Sequence, residues 1–152
     1  MDFTVIAGPF GGVTEGPAWD GEKVLFTHID ASQILAYDPI QRVTTVHLEN
    51  TNFCNGTMFD KDSRYYGCEG GARRVVEYDG KIAKPISETY QGKRYNVPND
   101  LAIDDLGSIW FTDPFYEGSG GDWSNDRSEM ELDHESVYKV VRNNNRTSIC
   151  NV

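Results

Sequence analysis

Glu15, Asn55, Asn99 and Asp100 are the residues whose types and spacing could do chemistry in this chain. They head three similar stretches: Glu15-Gly16-Pro17-Ala18-Trp19 before Val24-Leu25-Phe26-Thr27, Asn55-Gly56-Thr57-Met58-Phe59 before Tyr65-Tyr66, and Asn99-Asp100-Leu101-Ala102-Ile103 before Ile109-Trp110-Phe111-Thr112. Carboxylates offer charged oxygens and carboxamides neutral ones, a donor set suited to a hard divalent cation such as Ca²⁺, Mg²⁺ or Mn²⁺ rather than to copper or thiolate-bound zinc. A cation held there could polarise a carbonyl and stabilise the oxyanion that forms when water attacks it. The plainer reading is that Asx side chains ahead of strands bond to nearby backbone N–H groups. That reading is favoured for Asn55 beside Gly56, whereas Glu15, set by Gly16-Pro17 with no capping role, reads better as a ligand.

Residues so far apart meet only if the fold repeats. Glu15, Asn55 and Asn99 are separated by 40 and 44 residues, close to the roughly 40–45 of a four-stranded propeller blade. The innermost strand of each blade lines the central channel, so the heads of the first strands converge there. The fold expected is therefore all-β, a β-propeller with three four-stranded blades in view.

Strands are expected at 3–7, at Ala18-Trp19 and Val24–Thr27 around an Asp20-Gly21 turn, at Gln33–Tyr37, and at Val43–His47. The second unit repeats them with Met58-Phe59, Tyr65-Tyr66, Arg74–Tyr78 and Ile82–Ile86, where Pro85 marks an edge strand. Cys68–Arg73 is Gly-rich but precedes no helix start, so it reads as a tight turn rather than a phosphate loop. The third unit inserts about twenty polar residues, Phe115 through Glu135, before a strand at Ser136–Val141 and another from Ser148. An insertion of this length forms either part of a binding face or a mobile surface loop. Trp19, Trp110, Phe59 and Phe111 recur with the repeat and are expected in blade cores. Arg73, Arg94 and Tyr116, with Asp100, are the candidates to reach a substrate at the channel mouth.

Of 152 residues, 24 are acidic and 14 basic, a formal net charge of −10. The basic residues form no long run, which argues against a nucleic-acid partner. No apolar run approaches the about 20 residues of a membrane span. Met1-Asp2-Phe3 carries an acid where a signal peptide is basic, so a cytoplasmic chain without membrane contact is expected. Cys54, Cys68 and Cys150 are odd in number and lack metal-type pairing, which points to reduced, mostly buried thiols. His28, His47 and His134 form no nucleophile–base pair with any evident Ser.

Glu15-Gly16-Pro17-Ala18-Trp19, Phe26-Thr27-His28-Ile29, Gly92-Lys93-Arg94 through Pro98-Asn99-Asp100-Leu101, and Trp110-Phe111-Thr112-Asp113-Pro114 together resemble the gluconolactonase, regucalcin and senescence-marker-protein (SMP-30) family over nearly the whole chain. The resemblance implies a six-bladed propeller with residues 1–152 as its N-terminal half and no separate second domain. It implies a divalent metal in the channel, Ca²⁺ first, with Mg²⁺, Mn²⁺ or Zn²⁺ as alternatives, and hydrolysis of lactones or sugar-acid esters. Glu15 matches the family's first-blade glutamate ligand and Asn99 its third-blade polar ligand or substrate contact, with Asp100 beside it; Asn55 is their neighbour. The family's further asparagine ligand and its aspartate base lie in later blades that this chain does not contain. A half ring leaves open blade faces, so self-association or a partner completing the propeller is expected. The rival readings are a non-catalytic propeller binding module and an inactive truncated fragment.

Overall fold

The computed structural model describes residues 4–117, 126–143 and 146–152. Its strands form three four-stranded antiparallel sheets and one short ribbon. Sheet 1 contains β1 (Thr14–Trp19), β2 (Val24–His28), β3 (Gln33–Asp38) and β4 (Val43–Glu49). Sheet 2 contains β5 (Cys54–Phe59), β6 (Tyr65–Glu69), β7 (Arg74–Asp79) and β8 (Ile82–Ser87). The ribbon pairs β9 (Thr89–Tyr90) with β10 (Lys93–Arg94), and sheet 3 contains β11 (Leu101–Ile103), β12 (Ile109–Asp113), β13 (Ser136–Asn143) and β14 (Arg146–Asn151). Each sheet is a meander in chain order.

One turn chemistry closes the first hairpin of all three sheets. Asp20 Oδ1 accepts from the N–H groups of Glu22 (2.7 Å) and Lys23 (2.6 Å), Asp60 Oδ1 from Asp62 and Arg64 (both 2.9 Å), and Asp104 Oδ1 from Leu106 (3.0 Å) and Ser108 (2.9 Å). An aspartate that satisfies the donors ahead of it fixes both the turn and the register of the hairpin. β8, with Pro85, is the outer strand of sheet 2, where its missing donor breaks no ladder.

Period-two alternation supplies the two cores. In sheet 2, Tyr65, Val76 and Tyr78 face Ala18, Leu25, Ile34, Ala36 and Leu48 of sheet 1. Their sequence neighbours Tyr66 and Val75, with Cys68, face Leu101, Ile109, Phe111, Tyr138 and Val140 of sheet 3. Val75 and Val76 are both fully buried, on opposite sides of one strand, and each such burial contributes about 1.5–3 kcal/mol. Arg142 ties sheet 3 to sheet 2 through the Tyr66 hydroxyl (3.2 Å) and Glu77 (2.9 Å).

Several expectations need correction. Residues 4–7 form no strand, and residue 3 lies outside the described residues; a strand without a paired neighbour has nothing to hold it. Trp19 is 54% exposed rather than core. It pairs with Val24 while Ala18 pairs with Leu25 in the core, so alternation turns it to the other face. Trp110 is half-buried on the outer face of sheet 3, under the Lys139 ammonium at 4.5 Å. Phe111 is buried and Phe59 packs against the first core, as expected. Cys54 and Cys68 are buried free thiols and Cys150 is exposed. Between the expected strands at Ser136–Val141 and from Ser148, residues 144 and 145 lie outside the described residues. No helix among the described residues is long and apolar enough to cross a membrane.

Candidate functional site

The heads of β1, β5 and the segment before β11 lie against one another, and two glycines permit the approach. Gly16 has φ +51, and a Cβ on it would stand 2.6 Å from both Asn55 O and Thr57 N. A Cβ on Gly56 would stand 2.6 Å from Asp100 Cα and 2.9 Å from Asn99 O. The contacts are hydrogen-bonded as well: Thr57 Oγ1 donates to Gly16 O (2.6 Å) and Gly56 N–H to Asn99 O (2.7 Å). β1 slips register between Glu15 and Ala18, and β5 between Cys54 and Thr57. Such bulges release a strand's head from its own ladder and re-aim its side chains.

Glu15, Asn55 and Asn99 are thereby brought to adjacent positions across three sheets. Glu15 is exposed, and Asn55 and Asn99 are half-buried. Among the described residues, no side-chain hydrogen bond or ion pair engages any of the three. Asp100 behaves differently: its Oδ1 accepts from Leu101 N–H at 2.8 Å. The backbone-bonding reading therefore suits Asp100, and Asn55, for which it was favoured, makes no such bond.

The segment before β11 is pinned to β12. Val97 N–H donates to Pro114 O (3.1 Å), Asn99 N–H to Thr112 O (2.9 Å), and Thr112 N–H to Asp100 O (3.0 Å). Thr57 and Thr112 are the positioning residues that sequence reasoning passed over. Thr57 Oγ1 also accepts from the Tyr65 hydroxyl at 2.9 Å, and Thr112 Oγ1 accepts from Asp100 N–H at 3.1 Å. The available signal was a Thr two residues beyond Asn55 and one opposite Asp100 in the repeat.

The proposed substrate contacts divide. Tyr116, 39% exposed, has its phenol raised by partial burial and then by the fields of Glu15 and Glu135. Arg73 is buried, with a positive φ of 55°, and donates to Glu129 O at 3.0 Å. Burial first, and then Arg94, lower the pKa of its guanidinium. Arg94 is exposed and its backbone N–H and guanidinium both engage Glu131. The two arginines thus hold the described part of the insertion, whose Leu132 enters the second core. Arg127 reinforces that segment through Glu135 (2.9 Å) and Glu117 (3.2 Å). His28 packs its ring 6.1 Å from Phe10, and His134 contacts the Tyr138 hydroxyl at 3.0 Å.

Among the described residues, no three His, Cys, Asp or Glu side chains converge as a metal group. The cluster instead offers one carboxylate and two carboxamides, a set of hard oxygen donors that fits a divalent cation in kind and fills only part of its shell.

The SMP-30/gluconolactonase/LRE-like region model matches residues 13–151. The chain belongs to this family. A gluconolactonase from Zymomonas mobilis is 26% identical over 145 residues, covering 84% of this chain and 39% of its own length. A solved gluconolactonase from Xanthomonas campestris superposes with a TM-score of 0.80 at 30% identity, over 91% of this chain and 46% of that one. A solved putative gluconolactonase gives 0.80 at 25% identity, over 95% and 50%. The fold is of the β-propeller type, and the chain spans about two fifths to one half of the length of these relatives.

Proposed function

We propose that these residues are the N-terminal half of a six-bladed propeller that hydrolyses lactones in a metal-dependent reaction, with a sugar lactone as substrate. The observation that carries the reading is the close backbone approach of the heads of β1 and β5 and the segment before β11, whose Glu15, Asn55 and Asn99 bear oxygen donors that no described residue engages, in a chain of this family. Glu15, Asn55 and Asn99 would hold the cation, Ca²⁺ by preference. When bound, that cation would polarise the lactone carbonyl and offset the charge of the oxyanion. Tyr116, which feels the field of Glu15, is the substrate contact best supported, and Asp100 shapes the floor through its own backbone bonds. Arg73 and Arg94 act through the insertion segment they hold, at the rim of the mouth.

Ca²⁺ takes about 6–8 oxygen ligands, and three are in hand. Water and further polypeptide facing the same axis supply the rest, and a second copy of the chain or a partner can stand in that place. The general base belongs to that further polypeptide, so turnover requires the completed ring.

Calorimetric titration with Ca²⁺, on a sample whose mass is followed by light scattering and whose gluconolactone hydrolysis is recorded, tests this. Saturable binding lost in Glu15→Gln, with hydrolysis confined to the assembled species, is the expected result. Wild-type protein indifferent to Ca²⁺ and to chelation would leave the binding-module reading instead.

A further inference from the structure

Three residues before Asn99, Asn96 is fully buried against Asp113, the last residue of β12, which is also fully buried. Asn96 N–H donates to Asp113 Oδ2 at 2.9 Å, and Asn96 Nδ2 donates to the carbonyls of Asp113 (3.2 Å) and His134 (2.9 Å). Two oxygens of this same pair, Asn96 Oδ1 and Asp113 Oδ1, are buried and meet no donor among the described residues. With Asp113 ionised, both remain buried acceptors without a donor, an arrangement that interiors penalise. One proton on Asp113 turns an acceptor into a donor, within a pair that already shares the bond from Asn96 N–H to Asp113 Oδ2.

We propose that Asp113 is a neutral carboxylic acid in the native protein on the acid side of neutrality, its proton donated to Asn96, and that this pair is the lock holding segment 96–100 on β12.

The surroundings agree. Burial is the main influence and pushes the Asp113 carboxyl up to about 7, against the backbone N–H groups of Asn96 and Val97 and the charges of Arg73 and His134, which favour the ionised form. The other titratable groups that feel Asp113 are Cys68 on β6, Tyr138 on β13, and Tyr95 in the preceding segment, and burial raises all three. Neither phenol is spare: Tyr95 hydroxyl pairs with Ser87 Oγ at 2.6 Å and Tyr138 hydroxyl with His134 Nε2 at 3.0 Å. The proposal stands whether or not the axial cluster binds metal.

The sign of the pH effect follows from linkage. The folded chain keeps a proton that an unfolded aspartate releases near its ordinary pKa of about 3.9. The stabilisation is therefore complete below about pH 4 and is lost as the pH rises through the folded value. Asp113→Asn presents an amide that donates to Asn96 Oδ1 and accepts from Asn96 N–H at every pH.

The test combines carboxyl ¹³C NMR of aspartate-labelled protein with urea unfolding of wild type and Asp113→Asn between pH 4 and 9. Expected are one wild-type aspartate titrating near neutrality and absent from the variant, and equal stability at acid pH with a growing deficit of wild type above it. The amide shifts of Val97 and Asn99 should follow the same midpoint in wild type and stay still in the variant. A wild-type spectrum with every aspartate in the ordinary carboxylate range would overturn the proposal, because a water or cation would then serve the two orphans. An Asp113→Asn variant that unfolds at every pH would overturn it equally, and motionless Val97 and Asn99 amides would remove the lock.

Discussion

Asn96 and Asn99 are the same residue type three positions apart, and the fold uses them in opposite ways. Asn96 is fully buried, and its amide N–H₂ is spent on two carbonyls. Asn99 is half-buried, with a backbone that is fully used and a side chain that no described residue engages. A buried carboxamide has no water to turn to, so its bonds are structural; a partly exposed one can keep its oxygen for a ligand. The pair separates what holds this end of the propeller together from what that end presents. The glycines draw the same line: Gly16 and Gly56 press backbone on backbone, while the side chains of Glu15 and Asn55 just before them are engaged by no described residue.

The largest expected effect is at Gly56→Ala, which strikes both sides of the contrast. Its Cβ would meet Asp100 Cα and Asn99 O, backbone atoms that cannot rotate away. Urea unfolding should show a loss at or above the top of the usual overpacking range of about 1–3 kcal/mol, together with loss of Ca²⁺ binding. Stability close to wild type would mean that the strand heads are looser than their hydrogen bonds imply. Next comes Asn96→Leu, which keeps the volume but strips donors from the carbonyls of Asp113 and His134. A loss of about 2–3 kcal/mol is expected at neutral pH, and a neutral outcome would erase the distinction between the two asparagines. The smallest effect on folding is expected from Asn99→Ala, within about 0.5 kcal/mol of wild type, while its Ca²⁺ affinity falls about tenfold in the same calorimetric titration. A destabilised Asn99→Ala with undiminished Ca²⁺ binding would invert the comparison.

Much of the frame was legible because it rests on local chemistry. Asp20, Asp60 and Asp104 keep the 40- and 44-residue spacing of the strand heads and close the same hairpin three times. The β9–β10 ribbon was missed although its two-residue turn carries a signal: Gln91-Gly92, with φ of 51° and 80°, is of the kind that joins tight hairpins. Trp19 was misplaced because its neighbour Ala18, far less apolar, takes the core position; which of two adjacent residues faces inward depends on a register that composition does not reveal. Arg73 looked like an exposed arm, and the fold buries it, with its guanidinium donating to the carbonyl of Glu129 from 56 residues away.

The sequence by itself determined the repeat, the turn residues, the alternation of the strands and the oxygen-donor identity of Glu15, Asn55 and Asn99, since each follows from a residue and its near neighbours. Only the tertiary structure decided that Gly16 and Gly56 let three strand heads touch, that no described residue engages the Asn55 side chain while Asp100 bonds its own strand, and that Asp113 is enclosed beside Asn96. Those outcomes depend on packing between sheets and on exclusion of water, which are properties of the assembled blades.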